Sequence, residues 1–138
     1  MRVKSCSRQE SDLPTADQVS NLTAFIPLFK DPGFCPGGTM PLAEDGYPDE
    51  SFLQMVSRFL DACYKNGFIV RFDWESWDAA AREYLSDGAR LAGADFPQVR
   101  RLLTWHVRQN RFARDHLAEM IAGGHVLAIL RRLKDLAA

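Results

Sequence analysis

The sequence has no apolar run long enough to cross a membrane, and its cysteines do not form a paired set. A membrane-spanning helix needs about 20 apolar residues, and no stretch approaches that length. The three cysteines, Cys6, Cys35 and Cys63, are widely spaced, without a Cys-x-x-Cys pair. Secreted domains of this size usually carry an even disulfide framework. With no signal-peptide pattern in the first twelve residues either, the sequence predicts a cytoplasmic protein without membrane segments.

The sequence also lacks the motifs of self-contained catalytic and metal sites. Its three histidines, His106, His116 and His125, have neither the His-x-x-x-His spacing of a helical metal site nor a cysteine pair nearby. It has no Ser-His-Asp order, no glycine-rich phosphate loop and no deaminase signature. These absences predict no metal, no cofactor and no catalytic residues, so an enzyme is the less favoured class.

The chain has almost no net charge, but its acidic and basic residues are unevenly distributed along the sequence. The formal net charge is −1. Residues 97–138 carry eight basic against three acidic side chains, a net of +5, and residues 1–96 carry nine against fifteen, a net of −6. Such polarity favours some docking orientations with charged partners over others and says nothing about the fold.

The sequence does have enough apolar residues for one core. A chain of 138 residues with 46% hydrophobic side chains fits a single domain of ordinary size. The apolar residues recur three and four positions apart, which is the spacing of one helix face. We therefore predict an all-α fold, a single-domain irregular bundle of five or six helices over residues 14–138, after a flexible tail over residues 1–13.

The helix ends are predicted from caps and breakers. Pro27 should kink or end the first helix near residue 25, Asn66-Gly67 should end the second, and Asp73 is a plausible N-cap of the third. The run Phe68–Phe72 is predicted to be extended. Of the five or six helices expected, the third fades around Gly88 and Gly93. The last three run over about residues 95–110, from about 113 to the glycines at 123–124, and through the apolar residues 126–136.

A long loop rich in glycine and proline separates the first two predicted helices. Residues 30–48 contain eight glycines and prolines. A loop of this length inside a compact domain is usually functional or mobile. Phe34 and Tyr47 are expected to be exposed on it as anchors for a partner.

Several motifs resemble a widespread bacterial domain family of unknown function whose members are small stand-alone proteins. They are Leu22 to Phe29 as an opening helix, Phe72-Asp73-Trp74 with Trp77, Leu102-Leu103-Thr104, Arg108-Gln109-Asn110-Arg111-Phe112, and Gly124, Leu127, Ile129-Leu130 and Arg132-Leu133. The resemblance covers about 100 residues, by the extent of these motifs along the chain. The family pattern often carries Asp where this chain has Asn110. The resemblance implies one helical domain and implies no activity.

A short acidic segment brings three carboxylates and two indoles together. Such a set suits a ligand platform in which the rings stack and a carboxylate acts as acid or base. The favoured interpretation is that Trp74 and Trp77 are core or interface anchors and that Asp73 caps a helix. A hydrolase that uses Asp73, Glu75 or Asp78 stays as an alternative.

A second set consists of arginines. Arg108 and Arg111 lie three residues apart, and Arg101 precedes Arg108 by two helical turns. Guanidinium groups offer forks of donors that suit phosphates and carboxylates. The interpretations are a solvated basic face, or a patch that contacts anions or nucleic acid and also includes Arg100 and Arg114.

From these patterns we predict a non-enzymatic binding protein that regulates or inhibits a macromolecular partner. One concrete version is a phage or mobile-element counter-defence protein, such as an inhibitor of a CRISPR complex, whose acidic part occupies a nucleic-acid groove of the partner. The alternatives are a nucleic-acid-binding protein with a basic C-terminal helical face, and the hydrolase. A protein partner is favoured, a nucleic acid is the second choice, and the oligomeric state is open. The predicted partner-binding residues are Phe34, Tyr47, Trp74, Trp77, Arg101, Arg108 and Arg111.

Overall fold

The computed structural model describes residues 9–31, 33–113 and 115–137, and within them the chain is helical without a named strand. This confirms the predicted all-helical bundle, although two of the predicted helices are each divided in two. The described residues contain a single 3-10 turn, Pro36–Gly38, and the helices α1 (Ala16–Thr23), α2 (Ile26–Phe29), α3 (Glu50–Lys65), α4 (Asp78–Ser86), α5 (Gly88–Ala92), α6 (Phe96–Gln109), α7 (His116–Ala122) and α8 (His125–Ala137).

The two longest helices have the ends that the sequence predicts. The Asp49 side chain accepts from the N–H of Phe52 at the start of α3, and Asn66 ends that helix. At α6, Asp95 and Gln98 form a reciprocal capping box. Both ends are set by side chains within a few residues, which is why local sequence is enough to place them.

The first predicted helix ends close to residue 25, as predicted, because the chain breaks before Pro27. α1 begins with a capping box between Thr15 and Gln18 and ends at Thr23. Pro27 then lies in the first turn of α2. A proline at that position gives up no hydrogen bond, because the first N–H groups of a helix have no partner in the helix. The proline therefore starts a new short helix.

The third predicted helix begins later than expected, so Asp73 as its N-cap is wrong. Residues 74–77 form turns, and α4 begins at Asp78. The Asp73 carboxylate still accepts from the N–H of Ser76, at 3.4 Å, but within this turn. Trp77 packs between Phe72 and Tyr84, with ring centres 5.8 and 5.9 Å away, and this packing holds the turn in place.

α8 is the central helix of the bundle. It packs against α1, α2, α5, α6 and α7. Its inner face is fully buried, and so is most of α6 from Val99 to Val107. The buried residues of α8 are Val126, Ile129, Leu130 and Leu133.

The extended run before the acidic segment is buried and is held by a helix side chain. Phe68, Ile69 and Val70 are at most 1% exposed. The hydroxyl of Thr104, on α6, accepts from the N–H of Val70 at 3.0 Å and donates to the carbonyl of Phe68 at 3.1 Å. One threonine thus satisfies backbone groups that a neighbouring strand would otherwise pair with.

Arg100 ties the described start of the chain to α6. Its guanidinium donates to the carbonyls of Glu10, Asp12 and Gly67 at 2.8–3.0 Å. Arg101 adds two bonds to the Glu10 carboxylate, at 2.9 and 3.0 Å. The predicted tail therefore contacts the bundle at residues 10–12, and the rest of its prediction, over residues 1–8, lies outside the described residues.

Asn110 caps α7 from the end of α6. Its side-chain oxygen accepts from the N–H of Leu117 at 2.9 Å. We expect Asn110→Ala to lower the free energy of unfolding by about 1 kcal/mol, because this N–H loses its acceptor. Asn110→Asp should change it by no more than about 0.5 kcal/mol, since a carboxylate accepts the same bond and suits a helix N-terminus. Urea denaturation measures both, and equal losses in the two variants would argue against the cap.

Candidate functional site

An open groove lies where the segment after α3 meets the end of α6. Its volume is about 260 Å³. Three arginines and three aromatic rings contribute to its walls, and we name it the arginine–aromatic groove. It is lined by Val70, Arg71, Phe72, Trp74, Arg108, Arg111 and Phe112.

Two separate parts of the fold position these side chains. Val70 is fixed by the Thr104 hydroxyl, so the following residue, Arg71, emerges beside α6. Arg108 lies in the last turn of α6. Arg111 follows on the turn between α6 and α7, where its guanidinium donates to the Tyr64 hydroxyl at 3.4 Å.

The groove ends at a pair of aromatic rings. Trp74 and Phe112 are stacked, with ring centres 5.8 Å apart and planes inclined by 30°. Phe112 is 75% exposed, the highest value among the exposed large hydrophobic residues of the described chain. A phenyl ring this exposed gains little from the core, so it offers an apolar face to a ligand.

The other side of this ring pair is acidic and polar. A second open groove of about 390 Å³ is lined by Trp74, Glu75, Asp78, Gln109 and Phe112. The Asp78 carboxylate in it is already engaged, because one oxygen accepts from the Trp105 indole at 3.2 Å and the other from Arg82 at 2.8 Å. Cationic and anionic walls therefore flank one aromatic pair.

Four of the seven predicted site residues do not line the arginine–aromatic groove, namely Arg101 and Trp77, and Phe34 and Tyr47 on the long loop. Arg101 forms its ion pair with Glu10 and lies over the Phe72 ring, 4.8 Å from the ring centre. Trp77 is half-buried and packs against the hydrophobic core. Arg101 and Trp77 thus both contact Phe72, which lines the groove, without lining it themselves.

The prediction that Phe34 is exposed is wrong, whereas Tyr47 is exposed as predicted. Phe34 is half-buried and packs on Phe29 and Phe52, with ring centres 5.5 and 5.4 Å away. These two contacts anchor the long loop to the core. Tyr47, at 73% exposure, lies beyond that anchor.

The wider basic set is also divided by the fold. Arg100 is 2% exposed, so it is unable to meet a partner, and Arg114 lies outside the described residues. The groove is instead lined by Arg71 and Phe112, which were not predicted as site residues. Phe112 ends the Arg-Gln-Asn-Arg-Phe motif, and a large aromatic residue directly after this polar, charged stretch is the signal that would have indicated it.

The three histidines meet inside the bundle, where α6, α7 and α8 come together. The Nδ1 atom of His106 and the Nε2 atom of His116 are 2.9 Å apart, and the ring centre of His125 is 4.9 Å from that of His106. His106 is fully buried. Among the described residues, the Nε2 atoms of His106 and His125 have no hydrogen-bond partner.

This histidine cluster is built for a hydrogen bond and not for a metal. The rings of His106 and His116 are inclined by 23°, with centres 5.2 Å apart, so the nitrogens 2.9 Å apart point at each other along the line between the rings. In this bond one nitrogen donates and the other accepts, and two nitrogens that face each other in this way do not converge on one ion. No group of metal-binding side chains occurs within the described parts of the chain.

Comparison with known proteins gives a family without an assigned activity. A family of unknown function (DUF6508) has a model that matches residues 14–138. No curated protein and no solved structure matches the chain. Of the helices in the described residues, none has the length and apolar character needed to cross a membrane.

Proposed function

The chain belongs to this family of unknown function, and we propose that it is a binding protein that holds single-stranded nucleic acid in the arginine–aromatic groove. Phosphates contact the arginines, and a base stacks on the exposed phenyl ring. This proposal develops the nucleic-acid alternative, and it moves the contact surface from a basic helix face to the groove.

The observation that carries the proposal is the combination of three arginines with a largely exposed ring. Arginine offers planar forks of donors to phosphate oxygens. Aromatic side chains stack on bases, and this stacking contributes about 1–3 kcal/mol per base. Single strands present phosphates and unstacked bases together, whereas a duplex hides the faces of its bases. A groove with both features fits a single strand better than a duplex.

The acidic charges support this choice over a surface that imitates nucleic acid. Several of them are compensated locally, because Glu10, Asp61, Asp78 and Glu83 are in ion pairs with basic side chains. Others cap helices, among them Asp49, Asp87 and Asp95. Seven of the fifteen acidic side chains of residues 1–96 thus have a local structural role in an ion pair or a helix cap.

The test uses Phe112→Ala and a labelled single-stranded oligonucleotide, as DNA and as RNA. We expect the affinity to fall roughly 5- to 100-fold, because the variant loses one stacking face. Tyr47→Ala is the matched control, since Tyr47 is an aromatic residue of nearly the same exposure outside the groove. Fluorescence anisotropy measures all three proteins.

The arginines are tested by the salt dependence of the same binding. The double variant Arg108→Gln, Arg111→Gln should reduce the slope of log K against log salt by about 0.7 for each phosphate that is no longer neutralised. Arg131→Gln, an exposed position of α8 outside the groove, should leave the slope unchanged. The proposal fails if the native protein does not bind at low salt, or if a polyanion without bases binds as tightly as the oligonucleotide.

A second candidate, the regulator or inhibitor of a protein partner, has one observation of its own. The loop tip is closed by the bridge between Leu42 and Pro48, and it exposes Leu42 by 62% and Tyr47 by 73%. Exposed aromatic side chains are frequent anchors of protein interfaces. A partner that contains protein and nucleic acid, such as a CRISPR complex, would engage both surfaces. In a pull-down, Tyr47→Ala should then lose the protein partner and Phe112→Ala should keep it.

The hydrolase alternative has weaker support. Glu75 and Asp78 line one groove, as that alternative requires. Both oxygens of Asp78 are, however, occupied by Trp105 and Arg82, so Glu75 is the carboxyl group of this groove that is left to exchange a proton, whereas a hydrolytic pair needs two. We therefore assign the acidic groove no reaction.

A further inference from the structure

Two hydrogen bonds close the turn that carries part of the arginine–aromatic groove. His106 on α6 bonds to His116, the first residue of α7, across ten positions. Asn110 bonds to a backbone N–H of α7. Arg111 and Phe112 lie on the segment that these two side-chain bonds span. Their backbone N–H groups also donate to the carbonyls of Arg108 and Gln109, and Arg111 contacts Tyr64 while Phe112 stacks on Trp74. The two side-chain bonds therefore fix how this turn is joined to α7.

The cluster that supplies the first closure is almost removed from water. Burial is the main reason that the pKa values of all three histidines are lower than usual, and it holds the pKa of His106 furthest below that of an exposed imidazole. For His116, the carboxylate of Glu119 opposes this effect and the guanidinium of Arg82 adds to it. The neighbours from the surrounding helices are Arg82 of α4, the Trp105 ring of α6, Glu119 of α7 and His125 of α8. In the folded protein the cluster is therefore uncharged at neutral pH.

We infer that the histidine cluster is an acid-sensitive latch of the arginine–aromatic groove. A proton added to the cluster places a positive charge in the protein interior. Because His116 is only half-buried, it is the histidine that reaches water most easily, by moving out of the cluster. That movement breaks the bond to His106 and releases the turn with Arg111 and Phe112. The consequence for the ligand rests on the proposed function, whereas the release of the turn does not.

The direction of the effect distinguishes this latch from ordinary electrostatics. Arginine and the phosphodiester group keep their charges between pH 5 and 8. Histidines that gain positive charge near a nucleic acid normally strengthen its binding, because phosphates are negative. The latch predicts the opposite, namely weaker binding at acidic pH, since the released turn no longer holds the phenyl ring in place.

The release is measured on the free protein by hydrogen exchange of residues 110–113 and 115–117. A histidine that reaches water regains a pKa near 6.5, so the open form should gain about tenfold in population between pH 7.5 and 5.5 for each histidine released. Protection of this segment, corrected for the intrinsic pH dependence of exchange, should fall by the same factor. α3, which lies outside the cluster, serves as the internal reference.

Two variants separate the latch from general loss of structure. His116→Phe keeps an aromatic ring beside Trp105 but has neither the bond to His106 nor a proton to gain, so the exchange of the turn should already be raised at pH 7.5 and should lose most of its pH step. Asn110→Ala removes the other closure, so it should raise exchange at every pH and keep the tenfold step.

Four results would overturn the inference or separate it from the proposed function. Unchanged protection of the turn in the native protein between pH 7.5 and 5.5 overturns it, and so does an equal pH step in His116→Phe. Oligonucleotide affinity that rises on acidification overturns the coupling to the groove. If the protein binds no oligonucleotide at pH 7.5, the proposed function fails, and hydrogen exchange still decides whether the turn is released.

Discussion

Arg100→Met should lower the free energy of unfolding by about 3 kcal/mol. Arg100 is 2% exposed and donates to three carbonyls of two chain segments, two of them before α1 and the third at Gly67. Methionine fills a similar space but has no donor. A buried carbonyl left without a donor costs about 1–3 kcal/mol. The carbonyl of Gly67 is enclosed, whereas those of Glu10 and Asp12 belong to more exposed residues, so the loss at Gly67 is the largest of the three.

Arg101→Met is the matched control, because it removes a neighbouring arginine of the same helix. The side chains of Arg101 and Glu10 are 36% and 32% exposed, and partly exposed ion pairs contribute about 0–1 kcal/mol. We expect a decrease within that range in urea denaturation followed by circular dichroism. Equal decreases for the two variants would show that the hydrogen bonds of Arg100 to the carbonyls do not stabilise the fold.

The protein should lose stability on acidification from pH 6.5 to about 4. Burial, and then the neighbouring His116, lower the pKa of His125 from 6.5 to about 4. Between these values the unfolded chain binds a proton that the folded chain does not, so stability falls as pH falls. The titration of His125 alone lowers the free energy of unfolding by roughly 3 kcal/mol between pH 6.5 and 4. His106 lowers it further, because its pKa is also lower in the folded protein. Above pH 6.5 both states are neutral at these positions and the effect ends.

The assignment of this loss to the cluster is direct, because the chain has three histidines and all three are in the cluster. Carboxylates titrate mainly below about pH 4.5, so the interval from 6.5 to 5 reports the histidines. His125→Gln should reduce the slope of unfolding free energy against pH in this interval. A slope equal to that of the native protein would contradict the assignment.

The helices were predicted well where their ends depend on neighbours in sequence, and poorly where they depend on packing. Asp49 and Asp95 accept from N–H groups three residues ahead, so the starts of α3 and α6 follow from local chemistry. Asp73 has the same type of bond, yet the helix begins at Asp78. The difference is the packing of Trp77 between two rings, and no local pattern encodes it.

The candidate site was predicted in part for the same reason. Arg108 and Arg111 are three residues apart on one motif, so their proximity is a property of the chain. Arg71 comes from a much earlier segment, and it reaches the groove because Thr104 holds the backbone of Val70. The placement of Arg71 thus depends on the Val70 N–H group and the Thr104 hydroxyl, which are 34 residues apart in the sequence and meet only after folding.

By itself, the sequence determined an all-helical body, the ends of its longest helices and an exposed Tyr47, because apolar spacing, caps and loop composition act over a few residues. Only the tertiary structure decided which arginines are buried, paired or presented in the groove, and that the three histidines meet. Packing of the helices decides which polar groups lose contact with water. Each of those groups then bonds to whichever protein group lies beside it, and neighbours in sequence do not determine that group.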